Sequence, residues 1–96
     1  MDEEFTEAVL SVVEQIPPGS VATYGLIAER LGRGGARQVG RVMSLYGQAV
    51  PWWRVVRANG TLPAHLMIDA QQYWRDEDTP VRNGHVVVKD ALAPGF

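Results

Sequence analysis

Residues 23–46 run TYGLIAERLGRGGARQVGRVMSLY, two stretches of helical periodicity broken by a pair of glycines. Leu26, Ile27 and Leu31 recur on one side behind Thr23, whose hydroxyl suits the orphan N–H groups of a first helical turn. Gly32 follows as a residue able to end that helix in the left-handed region. Arg33-Gly34-Gly35 makes a tight turn. In ARQVGRVMSLY the apolar positions Val39, Val42, Met43 and Tyr46 are expected to face inward. The two short helices form a helix-turn-helix pattern. Arg37 and Arg41, one helical turn apart, share the exposed face, with Ala36 and Gly40 beside them. Gly40 costs about 1 kcal/mol of helix propensity relative to alanine. A residue so small serves either close packing against another helix or close approach of a nucleic-acid groove to a smooth, basic face.

Upstream, EEFTEAVLSVVEQI sets Phe5, Val9, Val12, Val13 and Ile16 at helical spacing, with acids in the first turn where the helix dipole favours them. A helix is expected at about 3–15, ended by PPGS. Downstream, after the loop SLYGQAV, the run WWRVV has strand character and ANG supplies an Asn-Gly turn. MIDAQQYWRDE predicts a fourth helix at about 66–77, with Tyr73 and Trp74 in its core and Asp76-Glu77-Asp78 as a solvated end. PVRNGHVVV predicts a hairpin around Asn83-Gly84. The tail DALAPGF carries little signal and is expected to fray. The expected fold is mainly α with a small β-hairpin, a winged helix-turn-helix in a single domain over residues 1–96.

Composition narrows the function. The 96 residues are 46% hydrophobic and 21% charged, as in a folded globular chain. No apolar run approaches the ~18 residues of a membrane span. The acidic start MDEEFTEAVL has the wrong sign for a secretory or mitochondrial signal, so the cytoplasm is the expected location. The chain has no cysteine, which removes disulfides, thiolate metal sites and cysteine nucleophiles. Net charge is −2, but its distribution is uneven. Residues 1–14 carry five acids and no cation, whereas residues 15–68 carry six arginines against Glu29 alone. Arginine presents a planar fork of donors suited to phosphates and base edges. Nothing in the sequence indicates an oligomer, and a monomer is expected.

Enzyme chemistry lacks parts. His65 and His85 fall in no metal-ligand spacing, and no metal or cofactor is expected. Ser11, Ser20 and Ser44 have no histidine adjacent in sequence. Neither a phosphate loop nor a dinucleotide fingerprint is present. What remains is an oddity, the pair Trp52-Trp53 in PWWRV. On an extended chain neighbouring side chains face opposite ways, so the two indoles would not share one environment.

Taken in order, PPGSVATYGLIAERLG, ARQVGRVM and PWWRVVRANGTL resemble the DNA-binding domain of the O6-alkylguanine-DNA alkyltransferases, over residues 5 to about 90. In those enzymes a Pro-Cys-His-Arg-Val motif carries the alkyl-accepting cysteine. Here Trp52 stands at that position, a replacement that resembles the alkyltransferase-like proteins, which recognise alkylated guanine without dealkylating it and hand the lesion to nucleotide excision repair. The resemblance implies a partner, double-stranded DNA containing O6-alkylguanine, together with nucleotide excision repair proteins. It implies that Tyr24 helps rotate the phosphate of the target nucleotide. It implies that Arg37 enters the duplex as a finger, and that Ala36, Gln38, Gly40 and Arg41 belong to a recognition helix lying in the minor groove. It implies a lesion pocket of Trp52, Val55, Asn59, Gly60 and His65. Trp53 departs from the family histidine that activates the cysteine. The family's usual asparagine after the recognition helix is missing, with Tyr46 or Gly47 nearest. His65 stands where such relatives often have arginine. Two other readings compete: a winged-helix transcription regulator binding undamaged DNA through the major groove, and a residual hydrolase acting through Ser44 and His65.

Overall fold

The computed structural model describes residues 2–96. Helix α1 (Glu3–Glu14) is capped by Asp2, whose carboxylate accepts from the Glu4 N–H at 2.9 Å, and it buries Phe5, Val9, Val12 and Val13. A two-residue strand β1 (Ala22–Thr23) leads directly into α2 (Tyr24–Leu31). The Thr23 hydroxyl accepts from Leu26 N–H at 3.1 Å, and Gly32 ends the helix at φ 72°, as the local sequence requires. Helix α3 (Ala36–Tyr46) starts at Gly35, whose N–H is taken by the Gln38 side chain at 3.0 Å. The turn between α2 and α3 rests on α1: Gly34, at φ 69°, lies where a Cβ would stand 2.9 Å from the Phe5 ring.

Beyond α3 the chain makes two short 3₁₀ turns, Gly47–Ala49 and Trp52–Arg54, before strand β2 (Val55–Val56). β2 pairs in parallel with β1, Ala22 opposite Val55 and Thr23 opposite Val56. Helix α4 (Ala64–Asp76) and the hairpin β3 (Val81–Arg82) and β4 (His85–Val86) form the wing. Asn83 and Gly84 both take positive φ, the geometry an Asn-Gly turn is suited to. A final turn, α5 (Val88–Ala91), returns the chain to β1. The architecture is a mostly helical winged helix-turn-helix. Among the described residues no helix is long and apolar enough to cross a membrane.

Two buried clusters hold these elements. One joins α1, α2 and α3 through Val9, Val13, Ile27, Val39 and Val42; the other packs Val21, Val56, Leu62, Trp74 and Val86 under α4 and the hairpin. Tyr24 packs against both.

Several expectations are corrected. WWRVV is not a strand along its length: Trp52–Arg54 is a 3₁₀ turn, closed by Arg54 N–H on the Pro51 carbonyl at 3.1 Å, and only Val55 and Val56 are extended. α4 begins two residues earlier than expected, at Ala64, so His65 lies in its first turn. Tyr46 faces outward at 50% exposure, because the last turn of α3 passes the end of the core. Trp74 is core at 1% exposure, but Tyr73, its neighbour on the helix, is at the surface. The tail is fixed rather than frayed. Val21 N–H donates to Ala91 O and Ala93 N–H to Val21 O, each at 2.8 Å, and Phe96 packs against the first cluster.

Gly60 joins the wing to the rest. At φ 79° it lies so close to the hairpin that a Cβ would stand 2.0 Å from the Val86 carbonyl oxygen. Backbone cannot give way as a side chain can. Gly60→Ala is expected to lower the unfolding free energy by about 3 kcal/mol or more in urea titrations, from strain and overpacking together.

Candidate nucleic-acid interface

A cleft of about 240 Å³ opens between the α3 face and the segment that runs from Trp52 into α4. Tyr24, Gly40, Met43 and Ser44 line one side; Trp52, Leu62, Pro63, His65 and Leu66 line the other, with Gly47 and Gln48 at one end. The parallel β1–β2 ladder creates this arrangement. By holding Thr23 opposite Val56 it brings the start of α2, and thus Tyr24, beside the Trp52 turn.

Gly40 answers the choice left by the sequence. The nearest atom to a Cβ built there is Tyr24 Cδ1 at 3.9 Å, an ordinary van der Waals distance. Internal packing therefore does not require a glycine. The space it leaves opens onto the cleft and the outer face of α3, where Ala36, Arg37 and Arg41 are exposed. The ion pairs among the described residues are Arg33–Asp2 and Arg54–Glu77, so Arg37 and Arg41 carry no carboxylate partner there. Gln38 is exposed, but its side-chain oxygen is occupied by the Gly35 N–H. Burial pushes the Tyr24 phenol above its ordinary pKa, and the charge of Arg57 offsets only part of that rise. Tyr24 therefore keeps its proton and can donate at neutral pH.

Trp52 and His65 reach the cleft, whereas the rest of the expected pocket does not. Val55 is wholly buried in the first cluster, because β2 turns it inward. Asn59 is exposed and accepts from the Thr61 N–H and hydroxyl at 3.2 and 2.6 Å, a local turn contact. Gly60 is buried beneath the hairpin. The actual walls include Met43, Leu62, Pro63 and Leu66, which sequence inspection missed as site residues, and Ser44, which it named only in the hydrolase reading. Ser44 and His65 both line the cleft, yet no hydrogen bond joins them among the described residues. No group of three His, Cys, Asp or Glu among those residues could hold a metal.

The second tryptophan does not face away from the first. In a 3₁₀ turn successive side chains are about 120° apart rather than opposed, and the two indoles meet edge to face at 5.6 Å between centroids. Trp53 lies flat against Tyr73 of α4, 3.6 Å between centroids and 6° between planes. Trp52 also meets Tyr73 edge-on, at 5.8 Å and 80°. Such ring pairs contribute about 0.5–1.5 kcal/mol each beyond area burial.

Behind this aromatic group is a near-buried ion pair. Arg54 and Glu77 are 13% and 12% exposed at their side chains. Arg54 binds Glu77 through Nε at 3.1 Å and through Nη2, and it donates from Nη1 to the Ile16 carbonyl at 2.9 Å. Glu77 also accepts from the Trp53 indole at 3.0 Å and from Gly19 N–H at 3.1 Å. The acidic run at the end of α4 is thus not a solvated terminus: Asp76 and Asp78 are exposed, but Glu77 turns inward to meet these donors. Burial alone would raise the Glu77 pKa. The bonds from Arg54, Gly19 and Trp53, with the Arg54 charge, outweigh it and hold the carboxyl below its ordinary value of 4.5.

Comparison with known proteins places the fold among DNA-binding relatives. Residues 4–78 match the family model of the 6-O-methylguanine DNA methyltransferase DNA-binding domain. Alkyltransferase-like protein 1 of Schizosaccharomyces pombe is 40% identical over 79 residues, covering 79% of this chain and 72% of that protein. A DNA base-flipping protein of Vibrio parahaemolyticus is 38% identical over 62% of this chain, and the matched part spans 63% of that relative's length. The S. pombe Atl1 structure in complex with damaged DNA containing O6-carboxymethylguanine superposes with a TM-score of 0.82, at 27% identity, over 96% of both chains. An O6-methylguanine methyltransferase of Mycobacterium tuberculosis gives 0.70 at 26% identity, over 85% of this chain and 53% of that one.

Two measurements check the site's construction. Gly40→Ala is expected to leave stability unchanged or raise it by up to about 1 kcal/mol, since the added methyl meets no close neighbour and favours helix. The same variant is expected to bind duplex DNA more weakly in a titration. Because the folded-state pKa of Glu77 is depressed, its contribution to stability is present in full above 4.5 and is lost as pH falls through the folded value. Glu77→Gln removes that contribution at every pH. It is expected to cost about 3–5 kcal/mol at pH 7, by leaving Arg54 unpaired, and to flatten the acid limb of a plot of urea midpoint against pH.

Proposed function

The chain belongs to the family of the 6-O-methylguanine DNA methyltransferase DNA-binding domain, and from that premise we propose that it recognises O6-alkylguanine in duplex DNA and performs no dealkylation. The observation that carries the reading is the cleft itself. A tryptophan occupies its wall at the family's alkyl-acceptor position, and the small-residue face of an arginine-bearing helix forms the opposite wall. The chain has no cysteine to accept an alkyl group.

α3 lies in the minor groove, with Ala36 and Gly40 allowing close approach and Arg41 on phosphate. Minor-groove contact reads little base sequence, which suits a protein that must find damage anywhere. A base within the duplex is out of reach, and extruding it costs a few kcal/mol, less where O6-alkylation has weakened pairing with cytosine. Arg37, free of carboxylate partners among the described residues, fills the vacated stack with its guanidinium. Tyr24, at the mouth of the cleft, donates toward the phosphate of the rotated nucleotide. The flipped base enters between α3 and Trp52, where stacking on the indole is worth about 1–3 kcal/mol. His65, in the first turn of α4, faces the modified base from the far wall. The bound complex presents the marked DNA to nucleotide excision repair proteins.

The reading is tested by titrating the intrinsic tryptophan fluorescence with a duplex carrying one O6-methylguanine and with its unmodified twin, at one stated salt concentration. Tighter binding to the lesion is expected, with the methyl group intact on recovered DNA. Trp52→Ala is expected to weaken lesion binding by about 1–3 kcal/mol. Arg37→Ala is expected to reduce lesion binding far more than binding to the unmodified duplex. Equal affinity for both duplexes would leave a sequence-reading regulator, and a missing methyl group would reveal a catalyst.

A further inference from the structure

Trp52 is the residue the proposed function asks most of, and its indole stands in the cleft wall only half-buried. An indole so placed can swing about its side-chain bonds unless something holds it. Two rings do. Trp53 and Tyr73 form a parallel stack, and Trp52 stands nearly perpendicular to both, at 86° and 80°. Rotating Trp52 would break both edge contacts at once. The stack is itself tied down at one end only. The Trp53 indole N–H donates to Glu77, its ring lies 5.5 Å from the Arg54 guanidinium, and its carbonyl accepts from the buried Trp74 indole at 2.7 Å. Tyr73 is 39% exposed, and no side-chain hydrogen bond fixes its ring among the described residues. Its ring is paired with the other two.

We infer that the Trp53–Tyr73 stack is a positioning device, which fixes the orientation of Trp52 so that the indole is preset to receive an extruded base. Neither residue touches that base; both act through Trp52. The inference rests on the proposed role of Trp52 and adds to it a division of labour between the paired tryptophans: the first presents its ring, the second transmits the rigidity of the Arg54–Glu77 pair. Preorganisation raises affinity by removing the ordering cost from the binding step. It should therefore appear in lesion binding, and not in contacts made by α3 alone.

The test uses the full chain with Tyr73→Ala and Tyr73→Phe, which deletes or keeps the ring at an exposed position. The free proteins are labelled with 5-fluorotryptophan, and the Trp52 resonance is assigned by its loss in Trp52→Phe. A single sharp fluorine resonance for Trp52 is expected in the parent and in Tyr73→Phe, and a shifted, broadened one in Tyr73→Ala. Affinity for the O6-methylguanine duplex is expected to fall by about threefold to tenfold in Tyr73→Ala, the loss of one to two edge contacts. It should stay within about twofold in Tyr73→Phe, with the unmodified duplex bound alike by all three. An unchanged Trp52 resonance in Tyr73→Ala overturns the inference, as does an equal loss of affinity for both duplexes. If the parent shows no preference for the lesion, the proposed function fails, while the resonance of the DNA-free protein still decides whether the stack holds Trp52.

Discussion

The pairing of Arg54 with Glu77 organises the molecule. One guanidinium binds the Glu77 carboxylate just past α4, the carbonyl of Ile16 just past α1, and lies beside the Trp53 ring; the same carboxylate takes the Gly19 N–H and the Trp53 indole. Three segments distant in sequence therefore converge on two side chains. A pair of this kind gives little net stability over well-packed apolar residues, because desolvation offsets most of the attraction. What it supplies is direction. Each Glu77 oxygen accepts from two donors, and no buried side-chain nitrogen or oxygen among the described residues lacks a partner. The 3₁₀ turn bearing both tryptophans can sit in one place only, and that place is the wall of the cleft.

The same arithmetic of commitments clarifies the charge pattern. Of the six arginines in the basic middle of the chain, Arg54 is consumed internally, Arg33 meets Asp2, and Arg30 reaches the Gly95 carbonyl and the Phe96 ring. Arg37 and Arg41, one turn apart on α3, are left facing outward, as is Arg57 beyond β2. A diffuse excess of cations in the sequence thus becomes a short stripe beside a glycine that internal packing does not need. The stripe, rather than the overall charge, is what a polyanion would meet.

Much of this was legible in the sequence where the cause is local. Thr23 and Gly32 bound α2 because a hydroxyl cap and a left-handed glycine act within one turn. Asn83-Gly84 marked the hairpin for the same reason. Tyr24, Gly40, Trp52 and His65 were named through the family resemblance, and the fold gathers all four around one cleft. What escaped depends on distant partners. Nothing near Glu77 in sequence says that Arg54 awaits it, so an acidic run looks like any solvated helix end. Val55, Asn59 and Gly60 follow the pocket tryptophan in sequence, yet β-pairing and the hairpin draw them away from the cleft. The tail looked featureless because its bonds are to Val21, at the opposite end of the chain.

Those bonds have a kinetic meaning. The extended stretch Val21–Thr23 is flanked on one side by Val55 and Val56 and on the other by Ala91 to Ala93. Helices form from near neighbours within about a microsecond, but this three-way meeting closes loops that span most of the chain, and the entropy of closing them must be met before the contacts reward it. The slow step of folding is therefore the docking of this short stretch rather than the winding of any helix. Since α2 begins at the very next residue, the recognition pair acquires its final orientation only in that step, and an excised helix-turn-helix, with helices of 8 and 11 residues, would lose both its order and its aim.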